Sequence, residues 1–199
     1  MQVDEFWSII EDSAGAVDLG KEDRADGLVA DAVEARLAGL TLDDILQFDT
    51  HFRLAHIRAH TWSLWAAADL MLRFCSDDSF IDFRAGVIAL GRETYEQVVT
   101  APDTLAEHPL VIRIASGEAD RYALQMEQLN YAAGKAYDRL AGKEHAYWDR
   151  TADEPRGPFA AAYAPGEKFQ FQDPAQQQAR LPRLWRLFRG SDGAPAALR

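Results

Sequence analysis

Apolar residues recur along this chain at intervals of three and four, a period that predicts helices from one end to the other. Residues 3–13 place Phe6, Ile9 and Ile10 on one face, with Asp4 and Glu5 in the first turn, where carboxylates suit the positive end of the helix dipole. After a loop marked by Gly15 and Gly20, a second helix carries Leu28, Ala32, Ala35 and Leu40 and closes near Gly39. Thr41-Leu-Asp-Asp44 resembles a capping box with Asp in place of the usual Glu. It opens a third helix whose Ile45, Phe48, Phe52, Ala55 and Ala59 share a face. Leu46, Leu54 and Ile57 form a second apolar flank, so this helix is expected at the centre of the fold. Between the flanks runs a polar seam of Asp49, Arg53, His56 and His60.

From Thr61 to Leu72 the pattern is apolar nearly all round, which predicts a buried helix with Asp69 and Arg73 as an i,i+4 pair. Ser76-Asp-Asp78 supplies cap chemistry for a long helix over 78–100, closed before Pro102, with Phe80, Phe83, Val87, Gly91, Thr94 and Val98 on its apolar arc. Arg84 falls in the middle of that arc. Residues 102–117 are read as helical because no partner strand is visible. Residues 122–140 gather Tyr122, Met126, Leu129, Ala133, Ala136 and Leu140 on one face before Gly142. Prolines and glycines make 143–173 a long loop, expected to wrap the bundle through Trp148, Phe159, Tyr163, Phe169 and Phe171. A final short helix over 175–189, which Pro182 can break, turns Leu181, Leu184, Trp185 and Phe188 inward and Arg180, Arg183, Arg186 and Arg189 outward. The tail beyond 189 reads as disordered. The expected architecture is an all-α bundle of about six helices forming one domain over 1–189.

With 199 residues, 48% of them hydrophobic, the chain can bury one sizeable core. Its net charge of -11 repels phosphate backbones, so a nucleic-acid partner is not expected. The carboxy-terminal arginines are the one basic stretch; a solvated face on a docked helix accounts for them better than a membrane or an acidic partner surface. The single Cys cannot form an internal disulfide. No basic start and apolar core marks the amino terminus as a secretion signal, and no run approaches the roughly 18 apolar residues of a membrane span. A cytoplasmic location follows as the expectation.

Trp62-Ser-Leu-Trp65-Ala-Ala, Cys75-Ser-Asp-Asp78, Phe83-Arg84 and Gly91-Arg92-Glu93 together resemble the DUF4240 family of bacterial domains. Asp4-Glu-Phe-Trp7 is similar to the family's opening and Leu181-Pro-Arg-Leu-Trp185 to its usual ending. Family members tend to carry small residues just before the Cys, whereas this chain has Arg73-Phe74, which would narrow or recharge any pocket there. The resemblance implies a soluble domain sometimes found beside other modules, and it brings no reaction, cofactor or catalytic residue.

Candidate chemistry concentrates between His60 and Tyr95. A guanidinium on an apolar face keeps its charge and needs partners, so Arg84 either pairs with Asp69, Asp77 or Asp78 or, with Arg92, grips an anion. Asp77 and Asp78 are candidate acid/base residues, although carboxylates at a helix start are also what capping favours. His56 and His60, four apart, have the spacing of a helical metal pair, but Ile57 stands where a zinc-protease motif would have Glu, and no metal or other cofactor is expected. Cys75 precedes a helix start that would activate a nucleophile, yet no nearby motif supplies a base. Trp62 and Trp65 could stack on a planar ligand or simply pack. The leading expectation is a non-enzymatic binding or regulatory module whose ligand pocket draws on His60, Trp62, Asp69, Arg84 and Arg92. The alternatives are a small-molecule hydrolase or transferase built on the Asp pair, and a protein-interaction accessory domain. The expected partner is a small anionic molecule or another protein.

Overall fold

The computed structural model describes residues 1–22, 24–152 and 166–190. Among these residues the chain is all-α, with eleven α-helices and two 3-10 helices and no strand. The helices are more numerous and shorter than the six expected because glycine and proline break segments that the apolar period runs through.

Helix α1 (Val3–Ala14) turns Phe6, Trp7 and Ile10 inward against α2 (Ala25–Leu37) and α3 (Leu42–Ala59). Phe6 packs on Phe48 at 5.1 Å between ring centres, and Trp7 on Tyr95 at 5.0 Å. In α2 the buried stripe is Val29, Val33 and Leu37, with Ala30 beside it. The expected stripe lay one residue away, and its Leu28 is exposed; the three β-branched or large side chains outweigh an alanine-rich face. Thr41 caps α3 as expected, its Oγ1 accepting from the Asp44 amide at 3.2 Å. The second apolar flank of α3 is open to solvent, with Leu54 55% and Ile57 40% exposed.

Helix α4 (Trp62–Leu72) is the buried helix expected, its Thr61 cap accepting from the Leu64 amide. Arg73 ends it in the left-handed region at φ 69°, so its side chain swings away from Asp69 and the expected i,i+4 pair does not form. Ser76 then caps α5 (Asp77–Ala89), its Oγ accepting from the Ser79 amide. The long helix over 78–100 is two helices: Gly91 adopts φ 90°, ψ 165°, a conformation that needs glycine, and α6 (Arg92–Thr100) starts after it. A 3-10 helix (Pro102–Glu107) and α7 (Pro109–Ser116) follow, in line with the helical reading of that segment.

Residues 122–127 do not continue a helix. Asp120 takes the Tyr122 amide and the Met126 amide reaches back to the Asp82 carbonyl at 3.1 Å, which holds the strand of turns against α5. Gly86 makes that approach possible, since a Cβ there would collide with the Leu124 carbonyl. Only then come a 3-10 helix (Gln128–Tyr131) and α8 (Ala132–Ala141), stopped by Gly142 at φ 64° and packed on α2 and α3. Tyr122 and Leu140 are exposed at the ends of the expected stripe, while Met126, Leu129, Ala133 and Ala136 are buried.

The segment expected as loop contains α9 (Ala146–Thr151). Its Trp148 is partly exposed, Phe169 is buried and Phe171 packs on Trp65, whereas Phe159, Tyr163 and all but the first residue of the 190–199 tail lie outside the described residues. Pro182 does break the last helix, giving α10 (Pro174–Arg180) and α11 (Pro182–Arg189). Leu181, Leu184 and Trp185 enter the core against α4 and the Pro102–Glu107 turn, and Arg183 pairs with Asp103 at 3.1 Å and with Glu107.

Candidate functional site

Arg84 is only 2% exposed, and among the described residues no carboxylate comes within ion-pair distance of it. Its Nη1 donates to the His56 carbonyl at 2.9 Å and its Nε to the Phe80 carbonyl at 3.3 Å, while the guanidinium lies 5.0 Å from the Phe80 ring centre. The His56 carbonyl belongs to the last turn of α3, where the His60 amide bonds instead to Ile57. Arg84 therefore satisfies an acceptor that the helix end leaves over and meets the negative end of the α3 dipole. Tyr95 completes that end, its hydroxyl donating to the Ala55 carbonyl at 2.8 Å. Burial lowers the Arg84 pKa to about 10, which leaves it charged at neutral pH.

The same charge and burial keep the two nearby imidazoles neutral. Desolvation first, then Arg84, pulls His56 well below its usual value and His60 in the same direction. His60 has already left the helix, with ψ 77°, so the two rings do not share one helical face as the i,i+4 spacing implied. Among the described residues no three His, Cys, Asp or Glu side chains converge to hold a metal ion.

Around Arg84 the aromatic residues form a stack rather than an open platform. Trp65 lies nearly parallel to Phe80 at 4.9 Å and is inclined by 29° to Phe171 at 5.2 Å, and Trp62 stacks on Trp65 at 5.7 Å. Lys168 sits over the Trp62 ring. The Trp65 indole donates to the Cys75 carbonyl at 3.0 Å, and the Cys75 thiol is buried; desolvation, with Asp69 next, pushes it up to about 12. A thiol so raised is not a nucleophile at neutral pH. Asp69 accepts the Cys75 amide at 3.2 Å and the Gln177 amide group at 3.0 Å, tying α4 to α10.

The remaining sequence candidates disperse. Arg92 is at the surface, bonded to Asp4 at 2.6 Å, and plays no part beside Arg84. Asp77 and Asp78 occupy the exposed first turn of α5, and of the two only Asp78 borders the cavity between α3, α5, α8 and α9. A smaller groove of about 500 Å³ includes Asp69, Arg73, Trp185 and Arg189, together with Phe74, which is 67% exposed.

A larger cavity, about 830 Å³, lies where α3, α5, α8 and α9 meet. Four aromatic rings line it: Phe52, Tyr131, Tyr147 and Trp148. The polar seam of α3 faces it through Asp49, Arg53 and His56, and Arg53 bonds to Asp49 at 3.0 Å. From α5 come Asp78 and Asp82, one turn apart. Burial raises Asp82 to about 6, with Glu127, Asp26 and Asp78 adding to the rise, and its carboxylate accepts from the Asn130 amide group at 3.0 Å. Sequence reasoning passed over Asp82 and Glu127. The i,i+4 carboxylates at 78 and 82 were visible, but nothing local showed that Glu127, Asn130 and α9 fold onto them.

The family model of DUF4240, described as a protein of unknown function, matches residues 1–139. The chain belongs to the DUF4240 family. No curated protein and no solved structure matches it. The matched part of this DUF4240 chain holds α1 to α7 and most of α8, including Arg84, Asp82 and Glu127. Leu181-Pro-Arg-Leu-Trp185 and helix α9, which closes one side of the cavity, lie beyond it. Among the described residues no helix is long and apolar enough to cross a membrane.

Proposed function

We propose that this DUF4240 domain is a non-enzymatic small-molecule-binding module and that its ligand occupies the cavity between α3, α5, α8 and α9. The observation that carries this reading is a cavity of about 830 Å³ with four aromatic rings in its wall, within the size and lining of small-ligand pockets. Binding is favoured over turnover because the thiol and imidazole candidates are held in unreactive states, the Cys75 thiol raised and the His56 and His60 imidazoles pulled down among buried groups, which among the described residues leaves Asp82 as a lone acid/base group without a nucleophile beside it. Arg84 then serves as the support that fixes the end of α3, one wall of the cavity.

The test is a thermal-shift screen against amines, carboxylates, phosphate esters, nucleotides and neutral aromatics. A ligand at ten times its Kd stabilises by about 1.4 kcal/mol. For a chain of this length that raises Tm by roughly 3–5 °C. Removing the exposed ring of one wall residue with Tyr131→Ala should weaken the shift while the protein stays folded; a shift that is unchanged places the ligand elsewhere.

A second reading keeps the anionic ligand and moves it from Arg84 to the groove by α10 and α11. Arg73 and Arg189 border that groove with no ion-pair partner among the described residues, and the buried Trp185 indole N–H beside them has no acceptor. A carboxylate or phosphate whose thermal shift disappears in Arg73→Ala would favour it.

A further inference from the structure

We infer that the cavity between α3, α5, α8 and α9 takes an organic cation, an amine carried on an aromatic or apolar body; this rests on the reading of that cavity as the ligand site. Among the described residues its border carries six carboxylates, from Asp49, Asp78, Asp82, Glu127, Asp138 and Glu144, against two cations, Arg53 and Lys135, an excess of four negative charges. The two cations are engaged: Arg53 bonds to Asp49, and Lys135 donates to the Gln128 side chain at 3.1 Å. Asp138 is engaged as well, accepting the His145 and Tyr147 amides and so holding α9 in place.

Asp78, Asp82 and Glu127 are different, for among the described residues none of them meets a cation. Asp82 is half-buried beside Asp78 from its own helix, Glu127 from the turn before α8, and Asp26 from α2. Asp26 spends its carboxylate on the Gln128 amide at 3.0 Å. Asn130 gives its N–H to Asp82, and its own side-chain oxygen, shut off from solvent, has no donor among the described residues. Among the described residues, the side of the cavity formed by Asp78, Asp82, Glu127 and Asn130 therefore has acceptors and negative charge in excess. An ammonium matches both, with three N–H donors and one positive charge. The aromatic walls suit the rest of such a ligand: they bury apolar surface and present ring faces that attract cations. The overall charge of -11 adds a long-range field of the same sign.

The charge state of Asp82 gives the inference a pH signature. Its carboxyl, raised to about 6 by burial and by Glu127, Asp26 and Asp78, is ionised above that pH and protonated below it. His56 and His145 also border the cavity, and burial, with Arg84 next, holds His56 well below its usual value. Amine affinity should accordingly hold above about pH 6.5 and fall as the pH drops through 6.

Three probes with one ring system decide the matter by isothermal titration: tryptamine, its alcohol analogue tryptophol and its acid analogue indole-3-acetate. The expected result at pH 7.5 is tryptamine binding at least tenfold tighter than tryptophol, no binding of indole-3-acetate, and about a tenfold loss of tryptamine affinity in Asp82→Asn. Glu127→Gln, at an exposed carboxylate where folding is not at risk, should lower tryptamine affinity by a smaller factor. If tryptophol or indole-3-acetate binds as well as tryptamine, the cation assignment is overturned and the binding site stands. If none of the three binds, the cation assignment is again overturned, and the wider screen decides separately whether the cavity binds anything.

Discussion

Asp82 holds its charge at a cost to the fold, and that cost can be measured. The folded carboxyl sits at about 6 against an ordinary value of 3.8, with burial the largest cause. Well below pH 3.8 both states are protonated and nothing is lost; from there up to about 6 the unfolded chain ionises while the folded carboxyl does not, and above 6 the folded state carries the full unfavourable charge. Asp82→Asn should therefore be more stable than the parent at pH 7, by about 1 kcal/mol once solvent screening of a half-buried group is allowed for. That advantage should shrink as the pH falls to 4. Thermal melts of both proteins from pH 4 to 8 check it, and a constant difference across the range would show that Asp82 does not titrate as described. Arg84 works in the opposite direction. Arg84→Met removes two charge-assisted hydrogen bonds and leaves the His56 carbonyl without a donor, so stability should fall by about 2 kcal/mol, or roughly 4–8 °C in Tm. An unchanged melting temperature would mean that desolvation of the guanidinium cancels what it contributes at the helix end. The oddness of Arg84 was legible in the sequence because a charge interrupted an apolar arc. Its partners were not, because they are backbone carbonyls, which no residue type announces. A carboxylate was the natural guess, and the end of α3 takes its place.

At the scale of elements, the helical class was legible throughout, while faces and breaks were less so. The pattern placed α1, α3 and α4, through an apolar face in α1 and α3, the all-round apolar run of α4 and the caps Thr41 and Thr61, whereas α7 was read as helix only for want of a partner strand. It failed on α2, where alanines make two faces nearly equivalent and only packing against α1 and α8 selects Val29, Val33 and Leu37. It also ran α5 and α6 together, because Gly91 fell on the apolar arc and read as a small core residue. Its backbone, at φ 90°, shows the other use of glycine. Gly91→Ala should cost about 1–3 kcal/mol for that reason. Gly86→Ala should cost more, about 3 kcal/mol, although its own helix geometry is ordinary. The new Cβ would lie 2.7 Å from the Leu124 carbonyl carbon and force the 120–127 turns away from α5. Chemical denaturation of the two variants gives the order. If Gly86→Ala proved the milder change, the close approach of Leu124 to α5 would not be a constraint on the fold.

For the whole molecule, the boundary of the matched family segment and the boundary of the core do not coincide. The family match ends at residue 139, within α8, yet Phe169, Leu181, Leu184 and Trp185 are buried in the same hydrophobic core as Phe6 and Phe83. Gln177 reaches Asp69 from α10, and Arg183 binds Asp103 from α11, so the carboxy-terminal helices are held by polar as well as apolar contacts. Helix α9 closes the cavity and is itself anchored by Asp138, the residue just before the match ends. A chain cut after residue 139 would expose the face of α4 that α10 and α11 cover, and would lose Tyr147 and Trp148 from the cavity wall. Burying four large apolar side chains stabilises by about 1.5–3 kcal/mol each, a sum comparable to the whole net stability of a domain. The truncated chain is therefore expected to bind the dye ANS and to lack a sharp thermal transition, whereas the full chain should unfold in one cooperative step. Calorimetry with dye binding on both chains checks this. A truncated chain that melts as sharply and as high as the full one would make residues 140–190 an appendage, and the cavity would then lose its claim to be part of the fold.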